Sequence, residues 1–197
     1  VHGEGEIIFS EVLRERLKTN PDYSGVRGLT INQNGVSRHT IPRPRLTQEE
    51  MDILPSPYLD GVFDGFLTEY PGLEFHVTQE THRGCPYRCK FCVWGKLTFQ
   101  SVIPFSDERV KAEYDWTSEN RIPFIYNADA NFIFLKRDES LTDYVIGLKE
   151  RTGFPQQIRA NWAKNKNDTI FRVAKKLNRA KMDLGVTYAL QSMDPGV

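Results

Sequence analysis

The spacing of apolar and polar residues changes near residue 74 of the chain. From there, short apolar runs alternate with longer stretches in which apolar residues recur at helical spacing. The pattern predicts strands at Glu74–Thr78, Pro123–Asn127, Gln156–Ala160 and Leu184–Leu190, and helices at Ser106–Ser118, Leu141–Thr152 and Thr169–Lys181. Repeats of this length form βαβ units around a parallel sheet, so we predict an α/β fold comprising the first four βα units of a (β/α) barrel.

The predicted helices begin next to residues that commonly cap helix N-termini. Ser106 is predicted as the N-cap of the first helix, since a serine hydroxyl accepts a hydrogen bond from the first turn. Ser140 and Asp143 are predicted as the capping pair of the second helix, and Asp168 as the cap of the third.

Residues 1–40 have the pattern of a separate unit. A glycine turn leads into an amphipathic helix at Phe9–Leu17. Two short strands, Gly25–Ile31 and Gly35–Thr40, follow it, and Asn34-Gly35 between them is typical of a hairpin turn.

Residues 41–73 are rich in proline, which indicates a linker that wraps the next domain. Short helices are predicted in it near Gln48–Ile53 and Tyr58–Phe66. The third segment is the partial barrel of residues 74–197. Because the first residue is not methionine and the last predicted strand stops close to the final residue, we expect both ends to be cut from a longer protein.

The bulk composition excludes two classes of partner. The chain has 26 basic and 26 acidic residues, so no net positive field favours nucleic acid. No apolar run approaches the roughly 20 residues that span a bilayer, so no membrane insertion is predicted.

The three cysteines of the chain, Cys85, Cys89 and Cys92, lie within eight residues. An odd number of clustered cysteines does not suit a secreted disulfide framework, so we predict a reducing, cytoplasmic setting. The spacing C-x3-C-x2-C can present three thiolates to three irons of a [4Fe–4S] cubane. The fourth iron then stays open for a substrate or cosubstrate, as catalytic metal sites commonly do.

Other uses of these cysteines explain less of the pattern. A zinc knuckle needs a fourth ligand, for which His82 is the only nearby candidate. A redox dithiol of Cys89 and Cys92 leaves Cys85 unexplained. The polar residues Arg88 and Lys90 between the cysteines disfavour a buried structural role.

The segment Gly84–Cys92 resembles the signature of the radical S-adenosylmethionine (SAM) superfamily. The resemblance implies that the open iron binds the amino and carboxylate groups of SAM. It also implies that the reduced cluster cleaves SAM to a 5′-deoxyadenosyl radical, which abstracts hydrogen from a substrate. An external one-electron reductant such as flavodoxin or ferredoxin is then an expected partner.

A narrower resemblance concerns the residues around the motif. Thr81–Gly95, with Trp94-Gly95 after the last cysteine, is similar to the cobalamin-binding branch of that superfamily. Val1–Glu6 and Pro55–Gly61 resemble the end of a B12-binding Rossmann-like domain and its junction with the barrel. The resemblance implies cobalamin in the full-length protein, with Gly3 and Gly5 near its nucleotide tail. Methyl transfer is then the leading reaction, with cyclisation and rearrangement as alternatives.

The chemistry of parallel barrels lies at the C-terminal ends of the strands. The superfamily often carries Gly-Gly-Glu after the second strand, which this chain lacks. Asp129, with Asn131 beside it, is the candidate acceptor for the SAM ammonium group. Alternatively, both residues cap a turn by bonding their own backbone.

The next two strands provide further candidates. Asn161 and Arg159 share one face of the third strand by the period-two rule, so Asn161 is a candidate for the SAM ribose and Arg159 for its carboxylate. A salt bridge at the barrel mouth is the alternative for either. Gln191 of Gln191-Ser192 is a candidate polar contact after the fourth strand. Trp94 and Trp162 either stack on a cofactor or pack beneath a loop.

The predicted function is therefore a radical SAM enzyme with an unknown substrate, possessing a [4Fe–4S] cluster, SAM and, in the full-length protein, cobalamin. One alternative is an iron–sulfur electron-transfer or scaffold protein without SAM cleavage. Another is a cobalamin-independent radical SAM enzyme. We expect this chain to be inactive when it is expressed by itself.

Overall fold

The computed structural model of the chain describes residues 1–87, 89, 92, 101–164, 168–183 and 185. The chain divides into two compact units, Val1–Leu54 and Pro55–Val197. Their boundary falls inside the segment predicted as a linker. The predicted fourth strand, apart from Gly185, and the candidates Trp94 and Gln191 lie outside the described residues.

The first unit is built from a helix, a hairpin and a short second helix. Helix α1 (Gly5–Arg16) packs Ile8 against Val26 and Leu29, with Val12, Tyr23 and Ile31 around them. Strands β1 (Thr30–Gln33) and β2 (Val36–His39) pair in antiparallel fashion, and helix α2 (Gln48–Asp52) follows.

Local sequence accounts for the turn and cap of this unit. Asn34 and Gly35 both adopt positive φ angles between β1 and β2, which confirms the predicted hairpin. Helix α2 begins with a capping box in which Thr47 and Glu50 bond each other's backbone amides. Helix α1 starts at Gly5 rather than Phe9, so Gly5 belongs to the helix and only Gly3 lies in the turn.

The second unit contains a three-stranded parallel sheet. Its strands are β3 (His76–Gln79), β6 (Phe124–Phe132) and β7 (Gln157–Trp162), in the order β3-β6-β7. Between β3 and β6 the chain forms a short antiparallel pair, β4 (His82–Arg83) with β5 (Ile103–Pro104). The helices are α3 (Asp64–Glu69), α4 (Asp107–Glu119), α5 (Asp138–Thr152) and α6 (Asp168–Arg179). Because α4 and α5 connect parallel neighbours, the predicted α/β organisation is confirmed.

One face of the parallel sheet is buried and the other is open. Val77, Ile125 and Ile158 lie in register across the sheet and are buried. Gln79, on the same side, donates to the Val110 carbonyl of α4 at 3.3 Å, so this face packs on the helices. On the other face, β7 exposes Arg159 and other alternate residues, as the period-two rule predicts.

The N-terminal cap of α4 was predicted correctly and that of α5 was not. Ser106 accepts a hydrogen bond from the Arg109 amide, as expected of an N-cap. Helix α5 instead begins at Asp138, and Ser140 lies in its first turn with its hydroxyl donating to the Arg137 carbonyl. Asp143 accepts from Lys176 of α6 rather than capping α5. The predicted capping pair is therefore wrong, because Asp138 accepts from the Leu135 amide and starts the helix earlier.

Other boundaries also differ from prediction. Strand β1 spans Thr30–Gln33 rather than Gly25–Ile31, and helix α3 spans Asp64–Glu69 rather than Tyr58–Phe66. Helix α6 starts at Asp168 itself. Strand β6 continues past the predicted end, Asn127, as far as Phe132. None of the helices among the described residues is long and apolar enough to cross a membrane.

Candidate metal centre

The three cysteines lie on a loop whose two ends are joined by the β4–β5 pair. Arg83 is in register with Ile103, so the chain leaves the pair at Gly84 and returns to it near Val102. Gly84 has φ +110°, and a Cβ atom there would stand 2.1 Å from the Ser101 carbonyl oxygen. Only glycine therefore fits at the start of this loop.

All three cysteines carry free thiols and are half-buried. The Cys92 amide donates to the Cys89 carbonyl at 3.0 Å, so the backbone groups of these two cysteines are in contact. Asn131, near the end of β6, donates through Nδ2 to Cys85 Sγ at 3.2 Å. Lys164, two residues beyond β7, has its Nζ 3.7 Å from Cys89 Sγ. The cysteine loop thus lies at the C-terminal ends of two parallel strands.

The donors around the sulfur atoms fit a thiolate-bound cluster. Amide and ammonium groups donate to negatively charged sulfur, and such contacts surround protein iron–sulfur clusters. In the described part of the chain, no three His, Cys, Asp or Glu side chains converge to hold a single metal ion. A cubane makes a different demand, because each of its three protein thiolates binds a separate iron.

Thr81, just before β4, is held by two charged side chains. Its amide and hydroxyl both donate to the Asp129 carboxylate, the amide at 2.7 Å. Its carbonyl accepts from Arg137 Nη2, also at 2.7 Å. Arg137 further donates to Asp107 and to the Phe105 carbonyl. The segment that leads into the cysteine loop is therefore fastened to β6, α4 and the start of α5.

A buried polar group lies beside this fastening. His82 Nδ1 is 3.3 Å from Asp129 Oδ2, and its Nε2 has no partner among the described residues. Burial lowers the pKa of His82, with the Arg137 charge acting in the same direction and Asp129 opposing them. Burial also raises the pKa of Asp138, the residue that follows Arg137, to about 7.

The structure brings several predicted residues to the cysteine loop. Asn131 contacts Cys85, and Asn161 Nδ2 lies 3.5 Å from the Asp129 carbonyl and 3.4 Å from the Tyr126 hydroxyl. Arg159 lies on the same exposed face of β7 as Asn161. Asp129 is only 1% exposed, and its carboxylate accepts from Thr81, His82 and Asn127.

Asp129 lies within β6, and its carboxylate accepts from the distant Thr81 and His82 amides, so it does not cap a turn through its own backbone. The Asp129 carboxylate serves the chain's own backbone, so its contact with SAM stays a prediction. Trp162 is buried and packs edge-to-face on Phe132, with ring centroids 5.7 Å apart. Gly3 and Gly5 belong to the first unit, where nothing tests their predicted role.

Comparison with known proteins agrees with the motif. No family model matches the chain. It is 37% identical over 198 residues to the cobalamin-dependent radical SAM methyltransferase TokK of Streptomyces tokunonensis, covering 100% of this chain and 29% of TokK. It is 39% identical over 196 residues to a 2-(S-pantetheinyl)-carbapenam-3-carboxylate methyltransferase of Streptantibioticus cattleyicolor, covering 98% of this chain and 28% of that protein.

The chain is homologous to part of the cobalamin-dependent radical SAM methyltransferases. It spans less than a third of the length of these two curated relatives. Two solved structures from radical SAM enzymes share its fold. TsrM from Kitasatospora setae aligns with TM-score 0.69 at 18% identity, over 100% of this chain and 38% of TsrM. The cobalamin-dependent enzyme OxsB aligns with TM-score 0.58 at 22% identity, over 92% of this chain and 26% of OxsB.

The sequence of this radical SAM homologue did not reveal every residue around the loop. Lys164 was missed, although it lies two positions after β7 and a charged residue soon after the end of a predicted strand is a detectable signal. Arg137 and Thr81 were also missed. Their contact joins residues 56 positions apart, so no local pattern marks it.

Proposed function

We propose that this chain forms the cluster- and SAM-binding part of a cobalamin-dependent radical SAM methyltransferase. The observation that carries the proposal is the half-buried position of Cys85, Cys89 and Cys92 near the C-terminal ends of β6 and β7, with side-chain donors on the sulfur atoms of Cys85 and Cys89. The homology to TokK, which extends over the whole chain, supports the same function.

The proposed roles follow from the position of each side chain. Cys85, Cys89 and Cys92 hold three irons of a [4Fe–4S] cluster and leave the fourth for SAM. When bound, this cluster supplies the electron that cleaves SAM and starts radical chemistry. Asn131 presents a buried Oδ1 atom that has no partner within the described chain, and we propose that it accepts a hydrogen bond from bound SAM.

The open face of β7 provides the second part of the proposed SAM site. Asn161 and Arg159 both point away from the helix-packed face, and Asn161 lies close to the backbone of Asp129. We propose that Asn161 binds the ribose and Arg159 the carboxylate of SAM. Asp129 acts mainly by holding the segment before β4, with its contact to the SAM ammonium group as the alternative. Gln191 remains a proposed polar contact.

The surrounding architecture is proposed on the same homology. The sheet β3-β6-β7 is the first part of a (β/α) barrel, and residues 1–40 are the C-terminal end of a Rossmann-like B12-binding domain. Gly3 and Gly5 then lie near the nucleotide tail of cobalamin. Support comes from the alignment with TokK, which includes these residues. An external one-electron reductant is the proposed partner, and the isolated 197-residue chain is proposed to be inactive.

The name of the S. cattleyicolor relative gives a substrate class to test first, a carbapenam carboxylate carrying a pantetheinyl thioether. The 39% identity extends over 98% of this chain and 28% of that protein, so the rest of the relative has no counterpart in the comparison. We therefore propose methyl transfer as the reaction and a carbapenam of this class as the first candidate acceptor.

Anaerobic reconstitution of the full chain with iron and sulfide tests the proposal. We expect about four irons and four sulfides per chain, with iron–sulfur charge-transfer absorbance, and loss of the stable cluster on replacing any one of the three cysteines by alanine. One equivalent of zinc without that absorbance would contradict it. In the full-length protein, a stable cluster without reductive SAM cleavage would favour an electron-transfer protein instead.

A further inference from the structure

The Cys85 and Cys89 thiols each receive a side-chain donor from the region where a parallel strand ends. Asn131 is 0% exposed, and its Nδ2 lies 3.2 Å from Cys85 Sγ. Lys164 is partly buried, and its Nζ lies 3.7 Å from Cys89 Sγ. Asn131 belongs to β6, Lys164 follows β7 by two residues, and the two donors reach different sulfur atoms.

The chemistry of each donor suits a negatively charged sulfur. Of the two polar atoms of the Asn131 amide, only the nitrogen can donate, and an oxygen in its place would repel a thiolate. Lys164 also stands over the Tyr87 ring, with Nζ 5.8 Å from the ring centroid. The aromatic face therefore helps to hold the ammonium group beside the cysteine loop.

Donors of this kind act on the charge of a cluster. Reduction of a [4Fe–4S] cluster adds one electron, and the added negative charge spreads onto its sulfur ligands. A hydrogen bond or a positive charge beside those sulfurs stabilises the reduced form more than the oxidised form. Such contacts therefore raise the reduction potential.

We propose that Asn131 and Lys164 raise the reduction potential of the cluster held by Cys85, Cys89 and Cys92, so that a one-electron reductant can reduce it. This inference rests on the proposed function, because it requires a [4Fe–4S] cluster on these cysteines. In the step concerned, one electron passes from the external reductant to the cluster. Asn131 and Lys164 are positioning residues, since they act through the cysteine sulfurs.

The contacts predict that the two effects are nearly additive. Asn131 approaches the sulfur atom of Cys85, and Lys164 approaches that of Cys89. The effects of two side chains on one reduction potential add when the side chains do not contact each other. The double variant should therefore lower the potential by about the sum of the two single changes.

The test is an anaerobic redox titration of the reconstituted full chain, followed by electron paramagnetic resonance of the reduced cluster. Asn131→Leu removes the donor at similar volume, and Lys164→Met removes the charge at similar length. At the potential where the unmodified protein is half-reduced, we expect each variant to show a roughly threefold to tenfold lower ratio of reduced to oxidised cluster. A tenfold change corresponds to about 59 mV for a one-electron couple.

Matched controls separate tuning from general damage. Lys175→Met and Asn178→Leu make the same chemical changes at exposed positions of α6 and should leave the potential unchanged. Lys164→Arg keeps the positive charge and should restore most of the potential that Lys164→Met loses. Iron and sulfide contents are measured in every variant, so that only proteins with a full cluster are compared.

The outcomes distinguish this inference from the proposed function. If the unmodified protein binds no [4Fe–4S] cluster, the proposed function fails. If all variants bind a full cluster at an unchanged potential, tuning is overturned while the proposed function stands. If Asn131→Leu loses the cluster, the potentials of Lys164→Met and Lys164→Arg test the inference. A lower potential in Lys164→Met that Lys164→Arg restores supports tuning, and an unchanged potential overturns it. If none of these variants holds a cluster, the residues serve loop folding alone and tuning is again overturned.

Discussion

The Asp129 carboxylate accepts a hydrogen bond of 2.7 Å from the backbone amide of Thr81, four residues before Cys85. The same carboxylate accepts from the Thr81 hydroxyl and from the His82 amide. A buried carboxylate with several donors is strongly bound, and its removal leaves those donors without partners. The position of the cysteine loop therefore depends on a residue that lies 48 positions later in the chain.

Asp129→Ala should destabilise the protein and weaken cluster retention. Each buried donor left unsatisfied costs roughly 1–3 kcal/mol, so we expect a loss of at least about 2 kcal/mol in the free energy of unfolding. Denaturant unfolding and the iron content after reconstitution measure the two effects. Asp143→Ala is the control, because Asp143 is an exposed carboxylate paired with Lys176 and should change stability by less than about 1 kcal/mol.

SAM binding by the same Asp129→Ala variant discriminates between its two proposed roles. If the carboxylate accepts a charged hydrogen bond from SAM, affinity falls by about 1.5–3 kcal/mol in protein that retains its cluster. Equilibrium binding of SAM to cluster-matched samples gives the answer. Unchanged affinity in such samples would assign Asp129 to the structural role alone.

Arg137→Lys should loosen the same segment, although it preserves the positive charge. The Arg137 guanidinium donates at once to the Thr81 carbonyl, the Phe105 carbonyl and Asp107. A lysine ammonium is a point donor and cannot reproduce this fork. We expect a lower unfolding midpoint and faster loss of the cluster in the presence of chelator. Arg172→Lys is the control, because Arg172 pairs with Glu139 on the exposed faces of α5 and α6.

Gly84→Ala should prevent the cysteine loop from closing. Its φ of +110° disfavours any side chain, and the added Cβ would stand 2.1 Å from a backbone oxygen that cannot swing aside. Gly153→Ala is the matched control, because Gly153 has φ +84° but no atom within 4 Å of the added Cβ. We expect the control to lose about 1 kcal/mol of stability and to keep its cluster. Equal cluster content in the two variants would contradict the prediction.

The free energy of unfolding should depend on pH through the ionisation of Asp138. Burial raises its pKa to about 7 in the folded chain, from a value near 3.8 when unfolded. The folded state therefore holds more protons between these values, and the free energy of unfolding falls as pH rises through the window. Below the window the carboxyl is neutral in both states, and above it the full cost of ionisation applies. The free energy of unfolding above the window is therefore lower than that below it by on the order of 4 kcal/mol.

Asp138→Asn removes this ionisation and should abolish the fall in stability that it causes between pH 5 and about 7, as measured by urea unfolding. Glu139→Gln is the neighbouring control. Hydrogen bonds from Arg172 and then Lys176 lower the pKa of Glu139 to about 2, so its stabilisation is lost only as pH falls below the unfolded value of 4.5. The control should therefore keep the unmodified slope between pH 5 and 7. An identical slope in Asp138→Asn would refute the assignment to Asp138.

Local sequence was sufficient for much of the fold. The spacing of apolar residues predicted β3, β6, β7 and the three helices that follow the cysteine loop. Each element buries one face, so its apolar residues recur at the period of a strand or a helix. Ser106 and Asn34-Gly35 act through their own backbone or that of near neighbours, so capping and turn rules found them. The spacing of the three cysteines was likewise visible without any structure.

Boundaries that depend on distant partners were not predicted. Strand β6 was ended at Asn127 because Asn127, Asp129 and Asn131 look like a polar loop. They are buried instead, and two of them bond distant segments. Asp129 accepts from the Thr81 amide, and Asn131 donates to Cys85 Sγ. Asp138 displaced the predicted cap of α5 through its bond to the Leu135 amide.

The sequence by itself determined the parallel α/β organisation and the clustering of the three cysteines, since both depend on residues close together in the chain. Only the tertiary structure decided what surrounds those cysteines. Asn131 is 46 positions from Cys85, and Lys164 is 75 positions from Cys89. Such pairs meet because parallel strands end at one edge of a sheet, and the choice of residue at each strand end is set by the contact it makes there.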